Sequence, residues 1–117
     1  MDYNTCYSLK VKHIASKEEW DRLIGEMNER DLLGYAFAPS EYVPDDEVQV
    51  FDSAGECHWY DHDEDMIKIA RLFPNAVFQL CGVGEGYDDL WYIYYQGDNV
   101  EECRAVIVFP PPQSISW

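Results

Sequence analysis

AVFQLCGVGEGYDDLWYIYYQ, residues 76–96, decides the fold. Two runs, AVFQLCGV (76–83) and LWYIYYQ (90–96), are dense in Val, Phe, Leu, Ile, Trp and Tyr. A turn of glycine and aspartate divides them. β-Branched and aromatic residues bounded by such breakers read as strands. A third run, CRAVIVF (103–109), follows a Gly-Asp-Asn turn and predicts one more strand. All three carry apolar residues on both faces, as strands do when they are central or when something covers the second face.

Working toward the N-terminus, residues 63–73 predict a helix. Met66, Ile69, Ala70 and Phe73 form its apolar stripe, and Pro74 stops it. Before it, EVQVFD (47–52) and ECHWY (56–60) read as a hairpin around the turn Ser-Ala-Gly. Val48 and Val50 are expected to face the core with Cys57 and Trp59. Glu47, Gln49, Glu56, His58 and Tyr60 are expected to face out. Residues 33–46, with Pro39 and Pro44, read as irregular.

The first forty residues begin with an alternating run, TCYSLKVKHI (5–14), in which Tyr7, Leu9 and Val11 share one face. SKEEWDRLIGEMNERD follows. Ser16 and Glu19 have the spacing of a capping box, and Trp20, Leu23, Ile24 and Met27 recur at helical period. Glu18–Arg22 and Glu26–Arg30 are expected as i,i+4 pairs on the wet face.

The resulting order is β-α-β-β-α-β with one or two strands appended. It predicts one α+β domain over residues 1–117, a ferredoxin-like split βαβ sandwich. Two helices would bury the Trp20 and Met66 stripes on one sheet face. The other face would stay open and rich in tyrosine.

Charge is distributed unevenly. The chain of 117 residues has a net charge of −15. Residues 41–65, EYVPDDEVQVFDSAGECHWYDHDED, hold ten carboxylates and no lysine or arginine. Such a surface repels nucleic acid and anionic membranes, which need Lys and Arg. The start, MDYNTCYSLK, has no basic n-region, and no apolar run approaches the roughly 18 residues of a membrane span. Cys6, Cys57, Cys81 and Cys103 lie far apart in apolar runs, with no Cys-x-x-Cys spacing. They predict buried free thiols in a cytoplasmic protein.

Residues 58–97 carry a series comprising Trp59, Tyr60, Asp65, Met66, Phe73, Pro74, Gly82, Gly84, Glu85, Asp89, Trp91 and Tyr94. This series resembles a pattern in small bacterial and phage proteins, a ferredoxin-like module of mobile elements. The resemblance covers about a third of the chain and implies fold more than activity; it carries over no catalytic residue. Tyr87 and Asp88 depart from the small or polar turn of that pattern, and Ala70 stands where serine is common.

Local motifs for chemistry fail on inspection. Asp61, Asp63 and Asp65 open like an EF-hand loop, but Met66 and Leu72 occupy its glycine and bidentate-glutamate positions. These acids read instead as first-turn residues that complement a helix dipole. Cys57, His58, Asp61 and His62 are candidate metal ligands, yet Cys57 and His58 point to opposite faces of one strand, and a four-ligand site needs something distant, such as His13. GVGEG (82–86) mimics a phosphate loop but leads into a strand past Asp88 and Asp89. No cofactor and no catalytic residue is assigned.

The acidic stretch therefore carries the functional expectation, with a solvated charged face as its bland alternative. Glu41, Asp45, Asp46, Glu47, Asp52, Glu56, Tyr60, Asp61, Asp63, Glu64, Asp65, Asp88 and Asp89 are the candidate partner-binding residues. Duplex DNA presents about one charge per 1.7 Å of axis. An array of carboxylates can imitate it and occupy the basic groove of a nuclease or other DNA-handling protein, with Tyr42, Trp59, Tyr60 and Tyr87 as anchors. In size and charge the chain resembles the small inhibitors by which phages and mobile elements block CRISPR effectors or restriction enzymes. An immunity protein or antitoxin against a basic nuclease toxin would use the same physics. A small metal- or ligand-binding enzyme built on Cys57, His58 and His62 is the alternative of a different class.

Overall fold

A computed structural model describes residues 4–116. Its elements are β1 (Thr5–Lys12), α1 (Lys17–Glu29), β2 (Val48–Phe51), β3 (Glu56–Cys57), α2 (His62–Leu72), β4 (Val77–Val83), β5 (Leu90–Gln96) and β6 (Asn99–Arg104). All six strands form one antiparallel sheet in the order β2-β1-β4-β5-β6, and β3 also pairs with β1.

The helices form where local chemistry directs them. Ser16 Oγ accepts from the Glu19 backbone N–H at 3.2 Å and starts α1. Trp20, Leu23 and Met27 are buried, while Ile24 packs only partly. Arg30 meets Glu26 at 2.6 Å, as the spacing predicts. Lys17 pairs with Asp21, and Arg22 lies over the Phe73 ring at 5.1 Å. In α2, Met66, Ile69 and Ala70 are buried, as is Phe73 just beyond it. The core sits between these helices and the β1–β4–β5 face, where Leu9, Val11, Phe78, Leu80, Ile93 and Tyr95 meet them.

Gly82 marks a close approach within this core. A Cβ there would lie 2.1 Å from the Trp91 indole, so only glycine admits that ring.

Four expectations are corrected. First, the ferredoxin-like arrangement interleaves two split βαβ units, and only one is present: β3 and β4 flank β1 and are joined through α2. α1 instead joins β1 to its own antiparallel neighbour β2. The fold is α+β with helices on one sheet face, but its strand order is not ferredoxin-like.

Second, β2 and β3 are not a hairpin. β2 pairs with Leu9–Lys12 and β3 with Thr5–Cys6, so they form one interrupted edge strand along β1. The register sum changes from 60 (Leu9↔Phe51) to 62 (Cys6↔Glu56), so two extra residues bulge out between them. Ser53 and Gly55 shape that detour: the Gly55 N–H donates to Ser53 Oγ at 3.0 Å, and Gly55 has φ +117.

Third, β2 presents the opposite face. Gln49 and Phe51 are buried, while Val50 is exposed and Val48 half-buried. Phe51 stacks on Trp20 with centroids 4.8 Å apart. Gln49 is satisfied inside because its amide clamps the preceding loop. It accepts from the Val43 N–H at 2.9 Å and donates to the Val43 carbonyl at 2.8 Å.

Fourth, the last strand begins at Asn99 and ends at Arg104, earlier than CRAVIVF implies. A two-residue Gly97-Asp98 turn fixes this register, Gln96↔Asn99. Beyond it, residues 105–116 have no regular structure and every one is exposed. The radius of gyration is 16.7 Å, against roughly 13 Å for a compact chain of this length.

The two sheet edges differ. At the β2 edge the segment after α1 folds alongside: Ala38 N–H donates to the Asp52 carbonyl at 2.8 Å, and Ser40 Oγ donates to the Val50 carbonyl at 2.7 Å. At the other edge every residue of β6 is exposed.

Candidate partner-binding surface

The acids of residues 41–65 follow the β2–β3 edge from end to end. The loop before β2 brings Glu41, Asp45, Asp46 and Glu47 to the end of the sheet where Val48 faces Lys12. Asp52 lies midway, at the bulge, and Glu56 sits where β3 meets Cys6. The chain then turns through Tyr60 and Asp61 into α2. Seven residue steps separate Lys12 from Thr5 on β1, so the edge is about 23 Å long.

These carboxylates fall into two groups. Asp65 is half-buried and structural: it accepts from the Trp59 indole N–H at 2.8 Å and lies 4.0 Å from the Arg30 guanidinium. Asp63 accepts a short hydrogen bond from the Tyr95 hydroxyl. Glu64 pairs with Lys68 at 3.1 Å. By contrast, Glu41, Asp45, Asp46, Glu47, Asp52, Glu56 and Asp61 are exposed and make no ion pair with a described residue. These seven make up most of the uncompensated surface charge of the stretch.

Asp88 and Asp89 lie apart from the edge strand, in the turn between β4 and β5. Asp88 is exposed, and Asp89 meets Arg104 at 3.4 Å. Of the expected anchors, Tyr60 and Tyr87 are well exposed, at 79% and 100%. Trp59 is buried and serves Asp65 instead, and Tyr42 packs partly against the core beside Trp20.

Behind Tyr60 lies a cleft of about 240 Å³ lined by Tyr7, Cys57, His58, Trp59, Tyr60 and His62. The His62 ring stacks on Trp91 at 5.4 Å and meets Tyr7 and Trp59 at 5.8 and 6.1 Å. Its Nδ1 is 3.2 Å from the Trp59 carbonyl, a placement that suits an Nδ1–H donor. Burial pushes the Cys57 thiol above its usual range, so it is held protonated, unlike a nucleophile or a metal ligand. Among the described residues no group of three or more His, Cys, Asp or Glu side chains is placed to hold a metal ion. His13, the distant fourth ligand considered above, lies just past the far end of β1.

The cysteines depart from expectation in burial. All four are free thiols, but only Cys57 is buried; Cys6 and Cys81 are intermediate and Cys103 is exposed. The open face of the sheet has a groove of about 630 Å³ in which Lys10 and Lys12 stand among Val48, Val50, Val77 and Tyr94. Two of the chain's few cations are thus on the face turned away from the helices.

Three residues matter that composition does not single out. Tyr35 fastens the chain after β3, its hydroxyl donating to the His58 carbonyl at 2.6 Å and accepting from the His58 N–H at 3.0 Å. Gln49 holds the acidic loop, and Tyr95 holds Asp63. No local spacing links any of these to its partner. No helix among the described residues is long and apolar enough to cross a membrane. Comparisons with protein-family models, curated proteins and solved structures returned no match.

Proposed function

We propose that the protein is an acidic inhibitor that occupies the basic nucleic-acid path of a partner protein, a nuclease or other DNA-handling enzyme, in place of the nucleic acid. The observation that carries this reading is the group of seven exposed carboxylates along and at both ends of one sheet edge, none in an ion pair with a described residue, with Tyr60 exposed beside them. Asp52 and Glu56 lie along the edge of about 23 Å, with Glu41, Asp45, Asp46 and Glu47 in the loop at one end and Asp61 past the other. At about 3.4 Å per phosphate that edge is as long as roughly seven nucleotides of one strand.

The chemistry needs no catalysis by this chain. Fixed carboxylates steer association with a cationic groove, and an aromatic anchor slows release. The buried, protonated Cys57 and the ring-packed His62 favour a binding role over a nucleophilic one. A mobile-element origin, as the resemblance of residues 58–97 implies, suits an inhibitor of host or invader nucleases.

The test is a set of four reversals, Asp46→Lys, Glu47→Lys, Asp52→Lys and Glu56→Lys, which change the net charge by eight units, from −15 to −7. None of these residues makes an ion pair with a described residue, so the fold should persist or gain slightly as self-repulsion falls. Tagged native protein should retain a basic nucleic-acid-binding protein from bacterial lysate at low salt, release it at high salt or on adding single-stranded DNA, and inhibit its activity. The reversed protein should do none of these. Inhibition that survived the four reversals would overturn the reading.

A further inference from the structure

We propose that the protein pairs with a second copy of itself through β6, strand against strand and antiparallel, across a two-fold axis at Cys103. The inference is independent of the inhibitor reading and uses the opposite edge of the sheet.

Among the described residues β6 is the longest strand edge with nothing laid along its outer side. The β2 edge is covered by residues 36–40, whereas all six residues of β6 are exposed and β5 is their only strand neighbour among the described residues. A bare edge offers a row of unpaired N–H and C=O groups to another strand. The chain beyond it extends the offer. Val106, Ile107, Val108 and Phe109 are 84%, 53%, 78% and 86% exposed, though their side chains have the highest strand preference in the segment.

Charge leaves β6 as the approach open to a second copy. At net −15 two copies repel on most approaches. β6 lies four strand spacings, about 19 Å, from β2 and the acidic edge. Joined at β6, two copies would hold their acidic edges nine spacings apart. That is about 43 Å, some five screening lengths at physiological salt.

The sequence then fixes the register. Residues opposed across an antiparallel ladder share a face. Val100, Glu102 and Arg104 share the helix side with Tyr95, Ile93 and Trp91; Asn99, Glu101 and Cys103 share the open side with Gln96, Tyr94 and Tyr92. A two-fold axis normal to the sheet therefore opposes only residues of equal parity. Centring it on residue 101, 102 or 104 sets like charges against each other. Centring it on 100 sets Glu102 against Asp98, and centring it on 105 leaves every charge without an opposite.

Centred on Cys103, Glu102 faces Arg104 of the second copy, twice. Val100 faces Val106, and Asn99 faces Ile107. Arg104 already touches its own Glu102 at 3.2 Å, so the four side chains would alternate in sign around the axis. The product is an isologous pair with one continuous ten-strand-wide sheet and all helices on one side.

The experiment uses the full chain under reducing conditions, with sedimentation equilibrium as the readout. The native protein should dimerise. Arg104→Glu should raise the dissociation constant about tenfold or more, since two attractive cross-strand pairs become repulsive. Glu102→Arg combined with Arg104→Glu should restore it to within a few-fold, because the pairs reform with signs exchanged. Circular dichroism checks that each variant folds.

A second measurement needs only minimal substitution. Brief exposure to copper(II) phenanthroline, two complexes of which each accept one electron as two thiols lose their protons and join sulfur to sulfur, should give a disulfide-linked dimer. Cys103→Ser should abolish that product, while Cys6→Ser and Cys81→Ser should not. A native protein that stays monomeric, a charge-exchanged variant no better than Arg104→Glu, or a cross-link through Cys6 or Cys81 would each overturn the proposal. The substitutions at Glu102, Cys103 and Arg104 lie off the acidic edge, so loss of dimerisation and loss of inhibition are separately visible.

Discussion

Removing the Asp65 carboxylate should cost more stability than removing any other acid of residues 41–65. Asp65 accepts from the indole N–H of Trp59, which is only 5% exposed, and it lies 4.0 Å from Arg30. In Asp65→Ala the indole N–H loses its partner inside the protein. A stranded donor of this kind costs about 1–3 kcal/mol. Loss of an acid from the first turn of α2 adds about 0.3–1 kcal/mol. The sum is roughly 1.3–4 kcal/mol, which for 117 residues lowers the melting temperature by about 5–16 °C, at roughly 4 °C per kcal/mol. Urea unfolding followed by tryptophan fluorescence measures it. Trp59→Phe in the same background supplies a double-mutant cycle, since the interaction vanishes once the donor is gone. Asp46→Ala and Glu56→Ala should stay within about 0.5 kcal/mol of the native protein. If Asp65→Ala were as mild as those two, the division of the acids into structural and surface groups would be wrong.

Gly82→Ala should destabilise by about 1–3 kcal/mol or more, because its Cβ would fall inside the Trp91 ring; thermal melting reads it, and an unchanged melting point would contradict the packing. Gln49→Ala should cost about 1–2 kcal/mol and raise amide exchange at Val43, whose N–H it caps, while leaving exchange in β4 unchanged. Stability should also fall above about pH 10. Burial, and the hydrogen bond to Asp63, raise the Tyr95 hydroxyl well above its ordinary value, and burial raises Tyr7. The unfolded chain then loses these protons first. Their contribution is intact below pH 10 and declines as pH rises, by up to about 1.4 kcal/mol per unit per tyrosine. Tyr95→Phe should flatten that slope in urea titrations from pH 9 to 11.

The helices were legible because their signals are local. Ser16 and Glu19, the Trp20–Leu23–Met27 stripe and Pro74 each act within a turn or two of chain. The inward face of β1 was legible for the same reason, since Tyr7, Leu9 and Val11 alternate without exception. The face of β2 was not. Its two valines argue one way and Phe51 the other, and what decides between them is a Gln49 clamp on a loop six residues away. The end of the last strand was not legible, because β preference peaks at residues 106–109 while pairing is dictated by the short Gly97-Asp98 turn. The concentration of acids was plain from the sequence; which of them are spent internally was not, because Trp59 and Tyr95 select Asp65 and Asp63 through tertiary contact.

The central place of β1 also governs when the fold can form. Its partners arrive late: Lys12 waits for Val48, and Cys6 waits for Val83. β4, β5 and β6, by contrast, pair through short turns. On a ribosome, the first-made strand must remain unpaired until most of the chain has emerged, and the late meander becomes the template on which it closes. Chains stalled with residue 83 still inside the exit tunnel should therefore be digested readily by protease at β1, and chains released beyond residue 104 should resist. Of the six strands, the one made first is the one that completes the sheet.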